Sequence, residues 1–530
     1  MSQPNIIYGL DDKPPAGKAV VLGVQHVLTM FGSTVAVPLI YGPALWPIPE
    51  NLPKAVSAEL SGLQLTNMAL MVSCVMLCSG VATLLQATFG SRLPIIQGVS
   101  FSFLAAFFSI IATVHEAAPV DWTPVVAGDA SSGVVGPLVQ QWQDLGAAGM
   151  RTIAGAVLLG GVLEAVIGFT GAMGLVRRVL SPVAIGPVIM LIGLALYEVG
   201  APIAAADWTI ASATMALVAL FALVLGKRVR IFQLFPMLSA ITLVVGVCAV
   251  LTWTGRFTPG DGGYVDLGAF ERSDWLRTTT VFFPWGLPEW SASALVAVLA
   301  GYLASMIESF GDYHACSQLA GGGDPTPEQI SRGIGFEGVG CALTGVLGGF
   351  SSTSYSENIG LVGLTKVGSR YVVQIGSVVL ILLGLFGKFG ALAAAIPKPV
   401  VGGLYCTMFG LISAVGVRQF AKADLSSDRN LFIGGFALFM GLSVPFYFSD
   451  YSTGQADVEW MPSAARGLLI SLGSTGMAVA AILGIGLDNL IPGTKRERGL
   501  AEGPGVLVPE AADVDLVDAA TTDSDNEGDR

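Results

Sequence analysis

Fourteen stretches of about 20 apolar residues, parted by short polar breaks, can be marked along this chain. A hydrocarbon layer about 30 Å thick is crossed by roughly 20 helical residues, so fourteen such stretches consume about 280 residues and leave short loops and two tails. Charged residues make up 12% of the 530, half the ~25% of a soluble chain, and 53% are hydrophobic. A soluble enzyme, a secreted scaffold and a nucleic-acid binder are excluded. The expected fold class is an all-α polytopic membrane protein, with the lipid bilayer as its solvent.

Hydropathy and breakers place the spans near 18–40, 64–89, 94–113, 151–173, 175–199, 205–226, 231–254, 290–320, 333–350, 353–368, 370–396, 398–417, 430–449 and 465–490. An even number puts both termini on one side. With the termini cytoplasmic, eighteen of the 26 Lys and Arg residues fall on the inner side and eight on the outer, as the positive-inside rule requires. The two longest loops, 114–150 and 255–289, are then external. From Glu510 onward eight acidic residues face one basic; such a segment reads as a disordered cytoplasmic tail. The first 18 residues are polar and lack the pattern of a cleaved signal peptide. Cys74, Cys78, Cys248, Cys316, Cys341 and Cys406 all sit in apolar stretches, and Cys74 and Cys78, which share a helix face, have no His or acidic neighbour, so the six read as small buried hydrophobes.

Fourteen divides as seven plus seven, and an odd repeat placed twice is inverted in the membrane. Interrupted segments at matching positions mark such repeats. The third span holds Gln97-Gly98-Val99-Ser100-Phe101 and the tenth holds Gly348-Gly349-Phe350-Ser351-Ser352-Thr353-Ser354-Tyr355-Ser356-Glu357-Asn358. Both are Gly/Ser-rich and run into an apolar stretch. Extended backbone survives at that depth only inside protein or beside a cavity. The expectation is a short antiparallel strand pair, residues 97–102 against 352–357, with half-helix N-termini offering N–H donors to a ligand. The competing explanation is that Gly and Ser merely permit close helix packing.

Ionisable groups inside spans are costly and mark function by default. Glu308 and Asp312 are four apart on one face of the eighth span, and Glu357 lies in the broken tenth. Three carboxylates without a Lys or Arg in their spans need partners, water or a proton. His26 reads equally as a packing residue and as a site residue. Glu164 reads as a satisfied structural acid, and Glu337, after Arg332 at a helix entrance, as a pairing or capping acid. There is no G-x-x-x-x-G-K-[ST] run, so ATP does not supply the energy, and Gly321-Gly322-Gly323-Asp324 is a loop between spans. No cofactor, metal centre or catalytic group is called for.

Ser356-Glu357-Asn358-Ile359-Gly360-Leu361-Val362-Gly363-Leu364-Thr365-Lys366 resembles the signature of the nucleobase–ascorbate transporters. Gln25-His26, Gln97-Gly98-Val99-Ser100-Phe101 and Glu308-Ser309-Phe310-Gly311-Asp312 match three further motifs of that family in the correct order. The resemblance runs from about Gly17 to Pro492. It implies a fourteen-helix 7+7 inverted repeat in the plasma membrane, usually as a homodimer. A core domain would comprise 18–173 and 290–396, a gate domain 174–289 and 397–492, with tails at 1–17 and 493–530. It also implies uptake of a nucleobase by symport with a proton or a sodium ion. Glu308 and Glu357 would accept from ring N–H groups, and the backbone near Ser100, Phe101, Ser356 and Asn358 would donate to carbonyls, with Gln97 on the same strand. Asp312, Glu308 and His26 are the candidates for proton coupling. Glu at position 357 resembles the uracil permeases; relatives with Gln there are purine-directed, those with Pro include ascorbate carriers, and some plant-like members with Glu also take purines. An anion exchanger of related fold, a channel and an intramembrane enzyme are the competing classes.

Overall fold

The computed structural model describes residues 6–128, 131–173, 181–277, 281–449, 469, 472–473 and 476–500. The acidic segment from Glu510, four of the arginines used for orientation (Arg177, Arg178, Arg466 and Arg530) and the beginnings of the fifth and fourteenth stretches lie outside them.

The chain is built from helices in this order: α1 (Ala16–Leu45), α2 (Lys54–Thr88), strand β1 (Gln97–Val99), α3 (Leu104–Ala117), α4 (Ser132–Phe169), α5 (Pro182–Leu194), α6 (Trp208–Ala219), α7 (Pro236–Trp253), α8 (Ala292–Leu319), α9 (Pro327–Leu347), strand β2 (Ser352–Ser354), α10 (Ser356–Thr365), α11 (Arg370–Leu385), α12 (Lys398–Phe420), α13 (Asp428–Ser449) and α14 (Gly476–Leu490). Among the described residues, nine helices are long and apolar enough to cross a membrane. Their ends carry ordinary stop and start chemistry. Pro182 and Pro236 open α5 and α7 where no N–H is needed. Asp207, Ser291 and Thr326 cap the N-termini of α6, α8 and α9. Gly348 closes α9 in the left-handed region, at φ 77°.

Two packed groups result. In one, α4 lies along α9, while α2 packs on α1, α9 and α11. Glycine makes the first of these contacts possible. A Cβ on Gly161 would stand 2.7 Å from the Gly338 carbonyl oxygen, and one on Gly338 would stand 2.2 Å from the Ala165 nitrogen, so the two backbones touch as small-residue membrane interfaces do. In the other group α12 packs on α5 and α6, and α14 on α5 and α13. Side chains of α5, α13 and α14 (Ile185, Ile189, Leu191, Ala437, Met477, Ala480) meet Phe101, Ala105, Leu303 and Ile307 across the seam. Trp253, Leu223, Phe439 and Phe446 are more than half exposed, an arrangement water would punish and lipid accepts.

β1 and β2 pair antiparallel, Gln97 opposite Ser354, Gly98 opposite Thr353 and Val99 opposite Ser352. Ser100 N–H to Ser351 O (3.0 Å) and Tyr355 N–H to Ile96 O (3.0 Å) extend the pairing by one bond at each end. The extended stretches are shorter than 97–102 and 352–357. Ser100 Oγ accepts from the Ser102 N–H at 3.2 Å and turns residues 101–103 into a 3₁₀ turn that feeds α3, while Ser356 already opens α10. At the β1 exit a side-chain cap outcompetes the strand ladder, whereas α10 starts after Tyr355 without one.

Three other expectations change. The supposed loop 114–150 is largely helix, because α4 begins at Ser132 and runs 38 residues, about 57 Å at 1.5 Å per residue. Val135, Trp142 and Leu145 are its buried stripe, and Trp142 Nε1–H donates to Pro47 O at 2.7 Å. Position 386 breaks the 370–396 stretch: Phe386 is extended, between α11 and a short helix over Gly387–Ala394. Lastly, Arg332 does not pair with Glu337; its Nε–H donates to Gly90 O at 2.9 Å.

Candidate functional site

The strand pair brings residues from α1, α8 and α10 to one place. Asp312 is buried on α8, where its Oδ2 accepts from Ser354 Oγ and its Oδ1 from Ser356 Oγ, both at 2.8 Å. Glu308, one turn earlier, lies within electrostatic reach of Asp312 and Glu357 and makes no hydrogen bond among the described residues. Glu357 projects from the first turn of α10, where it and Ser356 are exposed. Its Oε1 accepts from Ser33 Oγ of α1 at 3.1 Å. First-turn N–H groups of a helix have no intrahelical acceptor, so α10 presents donors beside these carboxylates.

Asn358 and His26 form a separate buried pair. The Asn358 amide donates to His26 O at 2.9 Å and meets Nδ1 of the same ring at 3.1 Å. Since the carbonyl requires a donor, the amide nitrogen is the atom facing α1, and Nδ1 must accept, leaving the proton on Nε2. Asn358 is thus turned toward α1 rather than toward the exposed side of α10. Gln97 is also set back: its side chain is fully buried and neither amide atom has a hydrogen-bond partner among the described residues. Its backbone N–H donates to Thr83 Oγ1 at 2.8 Å. Ser100 caps the 3₁₀ turn, and the half-buried ring of Phe101 stands in the seam against the α5–α14 group.

Glu337 is not the entrance acid that its place after Arg332 suggests. It is a fourth carboxylate of this cluster: Oε1 accepts from Ser309 at 2.7 Å and Ser305 at 3.2 Å, and Oε2 from the Tyr313 hydroxyl at 2.7 Å. The signal available in the sequence was its own span, which carries a single mid-helix acid among glycines. Glu164 of α4, read as a satisfied acid, is 1% exposed, and neither of its oxygens has a hydrogen-bond partner among the described residues. A groove of about 520 Å³ between α4 and α9, lined by Val162, Phe169, Leu343 and Val346 with Thr170 as its one polar side chain, is not part of this cluster.

The Xan_ur_permease model, described as a permease family, matches residues 17–449. Solute carrier family 23 member 2 of Homo sapiens is 35% identical over 526 residues, covering 94% of this chain and 76% of that protein. Nucleobase-ascorbate transporter 12 of Arabidopsis thaliana is 31% identical over 546 residues, covering 93% and 71%. The chain belongs to the nucleobase–ascorbate transporter family. As a member of that family it is a multi-pass membrane transporter of a small molecule. The solved structure of SLC26A9 is similar in fold, with a TM-score of 0.53 and 11% identity over 90% of this chain and 66% of that one. Within the nucleobase–ascorbate transporter fold, the strand pair and the two half-helices behind it collect Glu308, Asp312, Ser356 and Glu357, while His26 and Asn358 brace α1 against α10.

Proposed function

We propose that the protein is a secondary active transporter that imports a nucleobase, uracil first and xanthine or another purine next, by symport with protons. The observation that carries this reading is the unequal use of the Glu357 carboxylate. Ser33 occupies Oε1, and the other oxygen, on an exposed side chain at a helix N-terminus, remains for a ring N–H. Glu308 supplies a second bare acceptor. Donors from the first turn of α10 and the 3₁₀ turn at Phe101 complement ring carbonyls, and Phe101 offers a face for the ring. Alternating N–H and C=O groups on a flat apolar ring match that set.

Ascorbate is the second reading, because the Arabidopsis relative's name couples it with nucleobases. Ascorbate is an anion at neutral pH, and three carboxylates would repel it unless cations enter first. In this reading of the whole molecule, the helices form fourteen spans in a 7+7 inverted repeat, with β1 and β2 interrupting spans three and ten. The group around α1–α4 and α8–α11 acts as the core and the group around α5–α7 and α12–α14 as the gate. A homodimer in the plasma membrane with both termini cytoplasmic completes the proposal. The test is uptake of labelled uracil, xanthine and ascorbate into proteoliposomes under an imposed proton or sodium gradient. Uracil or xanthine accumulating with the proton gradient supports the reading; ascorbate accumulating with sodium replaces it.

A further inference from the structure

Between Asp312 and Glu337 runs an unbroken line of hydroxyls. Ser354 Oγ meets Asp312 Oδ2 at 2.8 Å, Ser354 Oγ meets Ser309 Oγ at 2.9 Å, and Ser309 Oγ meets Glu337 Oε1 at 2.7 Å. Every member is buried. Each serine has one proton to donate. If both carboxyls were ionised, Ser354 would donate to Asp312 and Ser309 to Glu337. Two oxygens 2.9 Å apart would then face each other with lone pairs alone. Thr353 Oγ1, 3.2 Å from Ser309, can donate to Ser309 but cannot put a proton between the two serines.

One added proton resolves the conflict, in either of two ways. With the proton on Asp312, the donors run Asp312 to Ser354 to Ser309 to Glu337. With it on Glu337, they run in reverse. From this geometry we infer that Asp312 and Glu337 share a single proton through Ser354 and Ser309, and that the hydroxyl wire delivers it between the ligand side and the interior of the α4–α9 contact. Passage from Asp312 to Glu337 breaks the Asp312 O–H bond and forms one on Glu337. Each serine hydroxyl gives up its own proton as it takes its neighbour's, so one proton moves and no charge is created.

The surroundings bias the two positions. Glu337 faces Glu164 on α4, and Tyr313 and Glu308 on α8, with Cys341 on its own helix. Asp312 faces Glu308, Glu357 on α10, Cys316 on its own helix and Lys422 beyond α12. Lys422 lies beyond the end of α12, across the seam, so a displacement of that group would remove a positive charge from Asp312 and favour its protonation. Glu164, without a hydrogen-bond partner among the described residues, lies close enough to Glu337 that a second negative charge there is costly, which favours the proton on Glu337 whenever Glu164 is ionised.

This inference rests on the proton-symport reading, and its test separates the two. Ser309→Ala and Ser354→Ala each cut the wire while leaving both carboxyls in place; Ser309→Thr keeps a hydroxyl. The expected result is ligand affinity close to wild type in both alanine variants, with gradient-driven uptake slowed about 10²-fold, the low end of what a positioned proton donor contributes, and recovery in Ser309→Thr. Infrared difference spectra of the wild type without substrate should show one protonated carboxyl band that is lost or displaced in Asp312→Asn, in Glu337→Gln and in each alanine variant. If both alanine variants take up substrate at the wild-type rate, or the band ignores Ser309 and Ser354, the shared proton is overturned. Failure of the proton gradient to drive wild-type uptake, with the band behaving as described, would instead overturn only the symport reading.

Discussion

Glu357 shows how one atom decides a binding property. Ser33 donates to Oε1, and that bond survives in Glu357→Gln because the amide oxygen also accepts. The amide nitrogen then faces the ligand's N–H, donor against donor. An unpaired buried donor costs about 1–3 kcal/mol, or roughly five- to hundredfold in affinity, so uracil binding should fall by that factor, read by equilibrium binding of labelled uracil. Ser33→Ala should weaken binding less, since it frees Oε1 without removing an acceptor. Glu308 and Asp312 should separate by assay. Glu308→Ala should abolish binding, because it deletes a bare acceptor. Asp312→Asn keeps acceptance from one serine and imitates the protonated acid, so binding should persist while uphill accumulation collapses and loses its pH dependence between about pH 5 and 8. Accumulation with wild-type pH dependence in Asp312→Asn would move the coupling role to another group.

At the scale of elements, the strand pair depends on a single missing Cβ. One built on Gly98 would stand 2.4 Å from the ring of Tyr355, whose hydroxyl is held by donation to Val99 O at 3.0 Å. That ring cannot retreat without breaking the bond that ties α10 to β1. Gly98→Ala should therefore destabilise the protein by about 1–3 kcal/mol through overpacking, measurable as a lowered Tm in detergent. It should also weaken ligand binding, since α10 carries Glu357. A surface glycine is the control: nothing lies within 4 Å of a Cβ on Gly435, and Gly435→Ala should leave both properties in place. The long α4 belongs to the same scale. Hydropathy detects only its membrane half, because the first 18 or so residues alternate Gln, Asp and Gly with Val, Leu and Trp. Packing of Trp142 and Val135 makes them helix.

For the whole molecule, transport by movement of one packed group against the other requires the seam to open. Ile307 of α8 reaches the cluster formed with Ala481 of α14 across it. A pair of cysteines at 307 and 481, joined by a short bifunctional reagent, should stop uptake, and reduction of a cleavable linker should restore it. Unchanged uptake with the link intact would show that the seam does not move. Five of the six native cysteines are buried and Cys406 is half-buried, so Cys406 is replaced by Ala in the cross-linking background.

Composition and hydropathy were enough to establish a polytopic helical membrane protein, since only helices and closed barrels satisfy every backbone group in lipid and continuous apolar runs of about 20 residues fit helices, not barrel strands of about 10. Local motif chemistry marked Glu308, Asp312 and Glu357, because a charge in an apolar span stands out in one dimension. Glu337 and Glu164 stood out in the same way, and there the one-dimensional reading failed. Whether a buried acid is paired, bare or wired depends on which side chains from distant helices meet it. Only packing brought Ser309 and Tyr313 to Glu337, Ser354 to Ser309, and Arg332 to the carbonyl of Gly90. The same holds for Ser33, separated from Glu357 by 324 positions. A neutral serine in an apolar helix has no signature in sequence until the fold gives it a partner.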